Sequence, residues 1–512
     1  MTSTVPARPK LLDQMRDKLR VLHYAWKTEK SYVAWVERFL RFHKERSGTW
    51  RHPTELGKAE IEQYLTFLAV DEHVYTPSQA ELGTKAQNRS TPSRLVSGPA
   101  VCERALKFPI QEMHPPMFNL PAVQAALRQY QFAGWLLYEF RGANVLARRI
   151  LDMGEKPLMS RRFLYWIPAE GTPVKIVHRI EDSALDHLPG EKVVYLKWQE
   201  FEAAIQAVVS GKSAVAMEYS PGNGNPYISK VDAGTIELVR SFGATVVSSG
   251  NLIQLFESTW DDEQEAMHFA AAKVTDAAYG VAWKFIAEEI ERTGGVEEVA
   301  VQQAIMDHFH QHGLTTYSPP IVGRGPHSAL PHYETGHGDD TRIVKGDFVL
   351  VDLWAKLNQP RAVYSDLTRT GYVGTSVPEK FTKVFQVVAA ARDAGIACAR
   401  EAFAAGRELS GGTVDDAVRA VIEQAGYGPY FTHRTGHNIG QEVHGNGAHI
   451  DNLETREDRL LMRRTCFSIE PGIYLPGEFG VRSEIDVYVD GQGTVHVTGG
   501  ELQREIVPIL TR

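Results

Sequence analysis

Four carboxylates written into apolar strand sequence constrain this 512-residue chain more than anything else in it. Asp352 ends the run FVLVD, Asp366 sits in VYSDLTRT, Glu470 in FSIEPGIY and Glu484 in VRSEIDVYV. A charge buried without a partner costs several kcal/mol, so a fold that buries these strands must also bring them compensation. One imidazole, His437 in HRTGHNIGQEVHG, falls between the second and third of them. A pair of divalent cations resolves the conflict, because hard or borderline metals take carboxylate oxygens with an occasional imidazole. Taken singly, each residue has a simpler reading. An Asp at a strand end forms turns or caps, and a lone His is more often a surface or satisfied core residue. Glu470 before Pro471-Gly472 ends a strand, and Glu484 pairs with Arg482 on a solvated face. The five together, in this order and these settings, favour the metal site.

The bulk of the chain sets few other limits. Its length predicts two or three domains rather than one core. With 43% hydrophobic and 23% charged residues it falls in the range of ordinary globular proteins. The net charge of −8 points to neither nucleic acid nor membrane. Cys102, Cys398 and Cys466 form no CxxC pair, which argues against a disulfide scaffold or thiolate metal site and fits a reducing cytoplasm. No apolar stretch follows the charges of MTSTVPARPK, so no secretory signal is expected. No run approaches the roughly 18 apolar residues that a membrane span requires.

Patterning divides the chain. Residues 1–75 are basic, with apolar positions at helical spacing: Leu11, Leu12, Met15, Leu19 and Leu22, then Tyr32, Val33, Val36, Phe39 and Leu40. Thr28 followed by Glu29 suits a helix N-cap between them. Residues 76–115, rich in polar and breaker residues, read as a linker. From 116 to 257 strand-like runs (GWLLYEF, RRFLYWIPA, KVVYLKW, SAVAMEYS, ATVVSS) alternate with helical ones such as VQAALRQYQFA and DAGTIELVRSFG. That alternation predicts an α/β layer. Residues 258–512 open on a long amphipathic helical stretch from Asp261 to Ile290 and then mix strands and helices, the pattern of an α+β domain.

The ordered series D…D…H…E…E, with HRTGHNIGQEVHG, SIEPGIY and RSEIDV, resembles the pita-bread metallopeptidases: methionine aminopeptidase, aminopeptidase P and prolidase. The likeness covers about residues 116–510, because the α/β segment resembles the creatinase-type N-terminal domain of the longer members. That extra domain turns the expectation toward the Xaa-Pro enzymes. The resemblance implies two divalent metal ions, manganese first and cobalt or zinc as alternatives, held by Asp352, Asp366, His437, Glu470 and Glu484. Asp366 and Glu484 are expected to bridge, Asp352 to chelate one metal, and His437 and Glu470 to complete the other. It implies a bridging water or hydroxide as nucleophile, with Glu470 passing the proton to the leaving proline nitrogen. His332 in SALPHYE matches the family's substrate-side histidine. His433 and His444 are expected against the scissile peptide or its oxyanion, and Arg482 behind Asp352 or Glu484. The expected substrate is a proline-containing peptide, cut at an N-terminal Xaa-Pro bond or as an Xaa-Pro dipeptide, and the expected assembly is a homodimer or larger.

Two features depart from the family pattern. Asp352 and Asp366 stand a few residues further apart than is common, which predicts a longer hairpin loop around Leu357 to Ala362 with both strand positions kept. His337, Asp339 and Asp340 after His332 add polarity near the entrance or are simply solvated. Creatinase shares the fold without metals, but this chain keeps every expected ligand.

The first 75 residues resemble the N-terminal, SAM-like domain of tyrosine recombinases of the phage integrase type. Between Arg8 and Arg51 stand 12 Lys/Arg against 5 Asp/Glu, interleaved with Tyr24, Trp26, Tyr32 and Trp35. Such helices suit contact with a DNA backbone; a solvated basic bundle with an aromatic core fits as well. A working recombinase also needs an HxxR motif and a tyrosine nucleophile in a catalytic domain. The only HxxR here is His43–Arg46, inside the helical segment itself. A fused or truncated integrase fragment ahead of a complete peptidase is therefore expected. Two further readings stay open: a DNA-binding protein with a scaffold peptidase-like domain, and a non-peptidase hydrolase or lyase on the same metal site.

Overall fold

The computed structural model describes residues 118–511 apart from 155–158 and 339–340, together with Val36, Arg38–Lys44, Arg46, Gln63 and Tyr64. Chain contacts divide it into units 1–110 and 111–512. In the first unit Phe39, Phe42, His43 and Tyr64 form an aromatic cluster, with Phe39 and Tyr64 rings 5.5 Å apart. Thr28, Tyr24, Trp26, Tyr32, Trp35 and the 76–115 linker lie outside the described residues, as do Asp339 and Asp340.

Alternation of strand and helix in the second unit begins with a mixed six-stranded sheet. Its strands are β1 Gly134–Glu139, β2 Phe163–Pro168, β3 Val174–His178, β4 Glu191–Tyr195, β5 Val215–Met217 and β6 Val246–Ser248. They are ordered β4-β3-β2-β1-β5-β6. The central strands are buried on both faces, as expected where helices cover a sheet on each side. One face packs Trp135, Leu137 and Tyr165 against the Leu120–Gln129 and Val145–Ile150 helices. The other packs Leu136, Leu164 and Val215 against the Trp198–Val209 and Ala233–Ser241 helices. Two details differ from the sequence pattern. Strand β3 was not among the runs read as strand, and KVVYLKW stops being strand at Tyr195. Trp198 instead opens a helix, because Glu200 turns back to accept from the amides of Leu196 and Lys197 at 2.8 and 3.1 Å.

A 32-residue helix, Asp262–Thr293, follows. Asp261 accepts from the Gln264 amide at 2.9 Å and Gln264 returns to the Asp261 amide, a reciprocal cap. Gly294 ends the helix at φ 76°, where a side chain would be strained. Against it lies a hairpin, β7 Phe348–Leu357 and β8 Ser365–Tyr372. Alternate residues of a strand face opposite ways, and both faces of this hairpin are buried. Val349, Val351, Leu353 and Leu367 pack on the long helix. Phe348 and Leu350 pack the other way, in a core shared with the Glu379–Ala404 and Gly411–Gln424 helices and the strands Thr465–Ile469, Phe479–Arg482 and Ile485–Val489. Asp352 and Asp366 belong to this second face. Among the described residues, no helix is long and apolar enough to cross a membrane.

Candidate metal centre

Register decides which carboxylates meet. In the hairpin Asp352 lies opposite Thr368 and Trp354 opposite Asp366, so the two aspartates are diagonal neighbours on one face of a buried sheet. Asp352 does not end its strand. The strand runs on to Leu357, because Leu353 and Ala355 keep packing against the long helix. The residues between Leu357 and Ser365 form the hairpin's loop, with the strand positions of both aspartates kept. Glu484 is delivered by a bridge to the same strand, its amide donating to the Thr368 carbonyl at 3.2 Å. His437 and Glu470 come from neighbouring segments. The Ser468 amide donates to the His437 carbonyl at 2.9 Å, and the Glu470 amide to that of Thr435 at 2.7 Å.

Ligating atoms of Asp366, His437 and Glu484 all lie within 4.8 Å of one another, and all three residues are buried. His437 Nε2 stands 3.4 Å from Asp366 Oδ2 and 3.5 Å from Glu470 Oε1. Asp352 is held from behind by Arg482, whose Nη2 donates to Oδ2. Burial pushes the Asp366 and Glu484 carboxyls well above the ordinary range, and the neighbouring carboxylates push them further. Burial also raises Asp352, despite Arg482, and lifts Glu470 to about 7. His437 is kept neutral, burial driving its pKa well below the usual imidazole value.

Such a cluster is unfavourable as it stands and fits a bound divalent metal. Asp352 Oδ1, Asp366 Oδ1 and Glu484 Oε1 are buried with no hydrogen-bond partner among the described residues. Buried polar atoms are ordinarily satisfied, so these orphaned carboxylate oxygens, two of them on residues of the Asp366–His437–Glu484 cluster, suit a bound divalent metal ion; Asp352 and Glu470 lie outside that closest set.

The surrounding residues form a hydrogen-bonded frame. Arg482 Nε donates to Thr368 Oγ1 at 3.0 Å, and Thr368 in turn donates to Glu484 Oε2 at 2.7 Å. Arg482 thus holds Asp352 directly and Glu484 through one hydroxyl. Its Nη1 reaches the Tyr474 hydroxyl at 3.1 Å, which lies 2.8 Å from His433 Nε2. His433 Nδ1 faces the Arg434 carbonyl at 2.7 Å, so both its nitrogens are engaged by protein. Burial and the Arg482 charge lower its pKa to about 3. His444 stacks edge-on against His437 with centroids 4.2 Å apart. His332 is exposed at the rim, near Asp352, His433 and His444. His337 is exposed beside Glu334, at 3.3 Å.

Three members of this frame were not singled out in the sequence: Thr368, Tyr474 and Asp486. Asp486 is fully buried, and its Oδ2 accepts from the Asp366 amide at 3.0 Å. It lies 4.0 Å from His268, a buried imidazole whose nitrogens face the Tyr364 carbonyl and the Thr498 hydroxyl at 2.8 and 2.7 Å. The available signal was its spacing, two residues after Glu484 in a buried strand.

Residues 266–491 match the family described as metallopeptidase family M24, and residues 11–85 match the N-terminal SAM-like domain of phage integrases. An uncharacterized peptidase from Staphylococcus saprophyticus is 33% identical over 270 residues, which are 52% of this chain and 70% of that protein. A Xaa-Pro dipeptidase from Pyrococcus furiosus is 35% identical over 187 residues, 36% of this chain and 48% of that enzyme. The chain spans only about half to two thirds of the first such curated relatives, 64% of one from Bacillus subtilis and 48% of the Pyrococcus enzyme. Two solved structures share the fold. Dipeptidase PepE from Mycobacterium ulcerans has a TM-score of 0.55 at 24% identity, covering 76% of this chain and 96% of that one. Prolidase from Thermococcus sibiricus has a TM-score of 0.50 at 24% identity, covering 76% and 97%. The pita-bread fold, the converging carboxylates and a relative matched over most of its length agree on one assignment: the chain belongs to metallopeptidase family M24.

Proposed function

We propose that residues 258–512 hydrolyse the bond between an N-terminal residue and proline, in Xaa-Pro-led peptides or dipeptides, with 116–257 as a supporting α/β domain. The observation that carries this reading is the convergence of Asp366, His437 and Glu484 with orphaned carboxylate oxygens in a buried site. Relatives named Xaa-Pro dipeptidase supply the substrate class. Asp352, Asp366, His437, Glu470 and Glu484 would hold two divalent cations, manganese first and cobalt or zinc as alternatives. When bound, the cations supply Lewis acidity that makes water nucleophilic near neutral pH and opposes the charge of the tetrahedral adduct.

The chain's own groups do the rest. An amide nitrogen, proline's included, is too basic to leave as an anion, so it leaves only when a proton is delivered to it. Glu470, beside His437 at the edge of the cluster, carries that proton. His332 and His444 line the peptide side, and His433 reaches it through Tyr474. Arg482 fixes Asp352 and Glu484 in one geometry, because its planar fork bonds Asp352, Thr368 and Tyr474 at once. Lysine cannot reproduce that fork. Arg482→Lys is accordingly expected to lower kcat by about 10- to 100-fold with little change in KM. A raised KM with kcat unchanged would place Arg482 in substrate binding instead.

The direct test is release of the N-terminal residue from Xaa-Pro peptides by protein stripped of metal and assayed with and without Mn²⁺. Turnover that appears only with metal supports the reading; cleavage insensitive to chelation overturns it. We place this activity in the cytoplasm and in a homodimer or larger assembly.

A second reading concerns the first unit alone. The match of residues 11–85 to an integrase domain, with the basic segment 8–51, supports contact with a DNA backbone. Binding of duplex DNA that weakens steeply with salt would support it, and a flat salt response would remove it. Since the contact boundary falls at Ile110, deletion of residues 1–110 is expected to leave peptidase turnover within about twofold, as surface changes outside a core do. A large loss in that deletion would tie the first unit to catalysis.

A further inference from the structure

One large cavity beside the carboxylate cluster shares only His444 with the chemistry above. Its volume is about 1070 Å³, and His444, Tyr317, Tyr364, Lys356, Arg149 and Arg361 line it. His444 stands at its inner end, one ring from His437. Tyr317 stands there too, near enough to the cluster to feel the charges of Asp352 and Asp366. The cavity is therefore continuous with the side of the site where a peptide is cut. At the upper end of the usual range for small-ligand pockets, it exceeds what a dipeptide needs.

Its cations are not equivalent. Arg149 is paired with Glu257 at 2.7 Å and with Glu442. Arg361 is paired with Glu263 at 3.1 Å and with Asp261. Lys356 has no carboxylate within ion-pair distance among the described residues, although Glu442, already paired with Arg149, lines the same cavity and acts on its charge. Its Nζ donates to the Gln441 carbonyl at 2.6 Å and lies 4.9 Å from the centre of the Tyr364 ring. A half-buried ammonium held by a carbonyl and a ring keeps donors for an incoming anion.

Strand geometry sets where that anion would sit. Lys356 follows Asp352 by four positions on one strand face, about 13 Å along β7. An extended peptide advances about 3.4 Å per residue, so a chain leaving the metals reaches Lys356 within about four residues.

We propose that this cavity receives the peptide beyond proline and that Lys356 binds a carboxylate there, so that the favoured substrates are Xaa-Pro-led peptides of about three to five residues carrying a carboxylate near their end. This rests on the hydrolase reading above. The carboxylate comes either from the C-terminus or from an acidic side chain, and the test separates the two.

The experiment measures kcat/KM of the full-length, Mn²⁺-loaded protein on four peptides: Ala-Pro, Ala-Pro-Ala-Ala, its C-terminal amide, and Ala-Pro-Ala-Glu amide. The free tetrapeptide is expected to exceed both the dipeptide and the tetrapeptide amide by about tenfold, the size of one charge-assisted hydrogen bond. Recovery with the Glu amide shows that a side-chain carboxylate serves; no recovery confines the site to a C-terminus, and either result supports a carboxylate site. Lys356→Met should make acid and amide equal, and Lys356→Arg should restore the difference. Acid and amide cleaved equally by the unsubstituted protein would overturn the proposal without recourse to any variant. Cleavage of the dipeptide alone overturns this inference and leaves the hydrolase reading standing. If none of the four is cleaved, both fall together.

Discussion

Replacing Glu484 by Gln is expected to lower turnover on Xaa-Pro peptides by more than about 10³-fold, equivalent to about 4 kcal/mol of transition-state stabilisation. The change is nearly isosteric, and an amide oxygen can still accept from Thr368, so the frame that runs from Arg482 through Thr368 survives. What is lost is one negative charge facing Asp366, His437 and the orphaned oxygens around them. Folding should not suffer. Burial and neighbouring carboxylates already hold the Glu484 carboxyl toward its neutral form, and a neutral amide removes that repulsion. The informative pair of measurements is therefore kcat and the number of metal ions retained, alongside a melting temperature in chelator that does not fall. Retention of two metals with turnover within tenfold of the parent protein would remove Glu484 from the ligand set. Asp366→Asn should behave alike, since Asp366 lies on β8 and Glu484 is bridged to that strand, both against the same imidazole.

The parts of this site that were legible in the sequence are those where polarity and apolar patterning conflict. Asp352 stood out because β7 is apolar on both sides of it, and Asp366 because it follows the apolar VY that leads into the facing strand, which is buried for most of its length. His437, Glu470 and Glu484 stood out through the phrases around them. Thr368, Tyr474 and Asp486 did not, for a physical reason. Threonine and tyrosine are ordinary strand residues, and an Asp beside an already chosen Glu reads as a solvated neighbour. Their importance lies in a bridge from Thr368 to Glu484 and in the 3.0 Å bond from the Asp366 amide to Asp486, across 116 and 120 positions. The same limit applied to the α/β layer. The run at Val174–His178 is short and flanked by charge, so its place between β2 and β4 is fixed by pairing rather than by pattern. Trp198 looked like the end of a strand because it follows one, while the Glu200 side chain that starts the helix lies beyond it.

Metal loading should raise the melting temperature more at pH 8 than at pH 6.5, by about 4 °C or more, as two linked pKa shifts require. Without cations, the carboxyls of Asp366 and Glu484 are held well above their ordinary range and Glu470 at about 7, burial being the first cause in each. A carboxyl whose folded-state pKa is raised gives the folded chain extra protons. That contribution is complete below the unfolded carboxyl range, near about pH 4, and is lost as pH rises through the folded value. The metal-free protein therefore weakens as pH rises from about 4 through about 7, where Glu470 titrates, and further for Asp366 and Glu484, by about 1.4 kcal/mol per pH unit for each proton retained. Bound cations need these groups ionised, so the loaded protein escapes that loss. The buried histidines act the other way. His268, near 4, and His433, near 3, are depressed by burial, so they weaken the fold only as pH falls below about 6.5. They do so in both forms, and His437 is neutral in both, so the histidines drop out of the comparison above pH 6.5. Calorimetry or thermal fluorescence at fixed free Mn²⁺ against excess chelator reads the difference directly. A gain that is flat or smaller at pH 8 would mean that the carboxyls are already ionised without metal, and that the frame around Arg482 compensates them unaided.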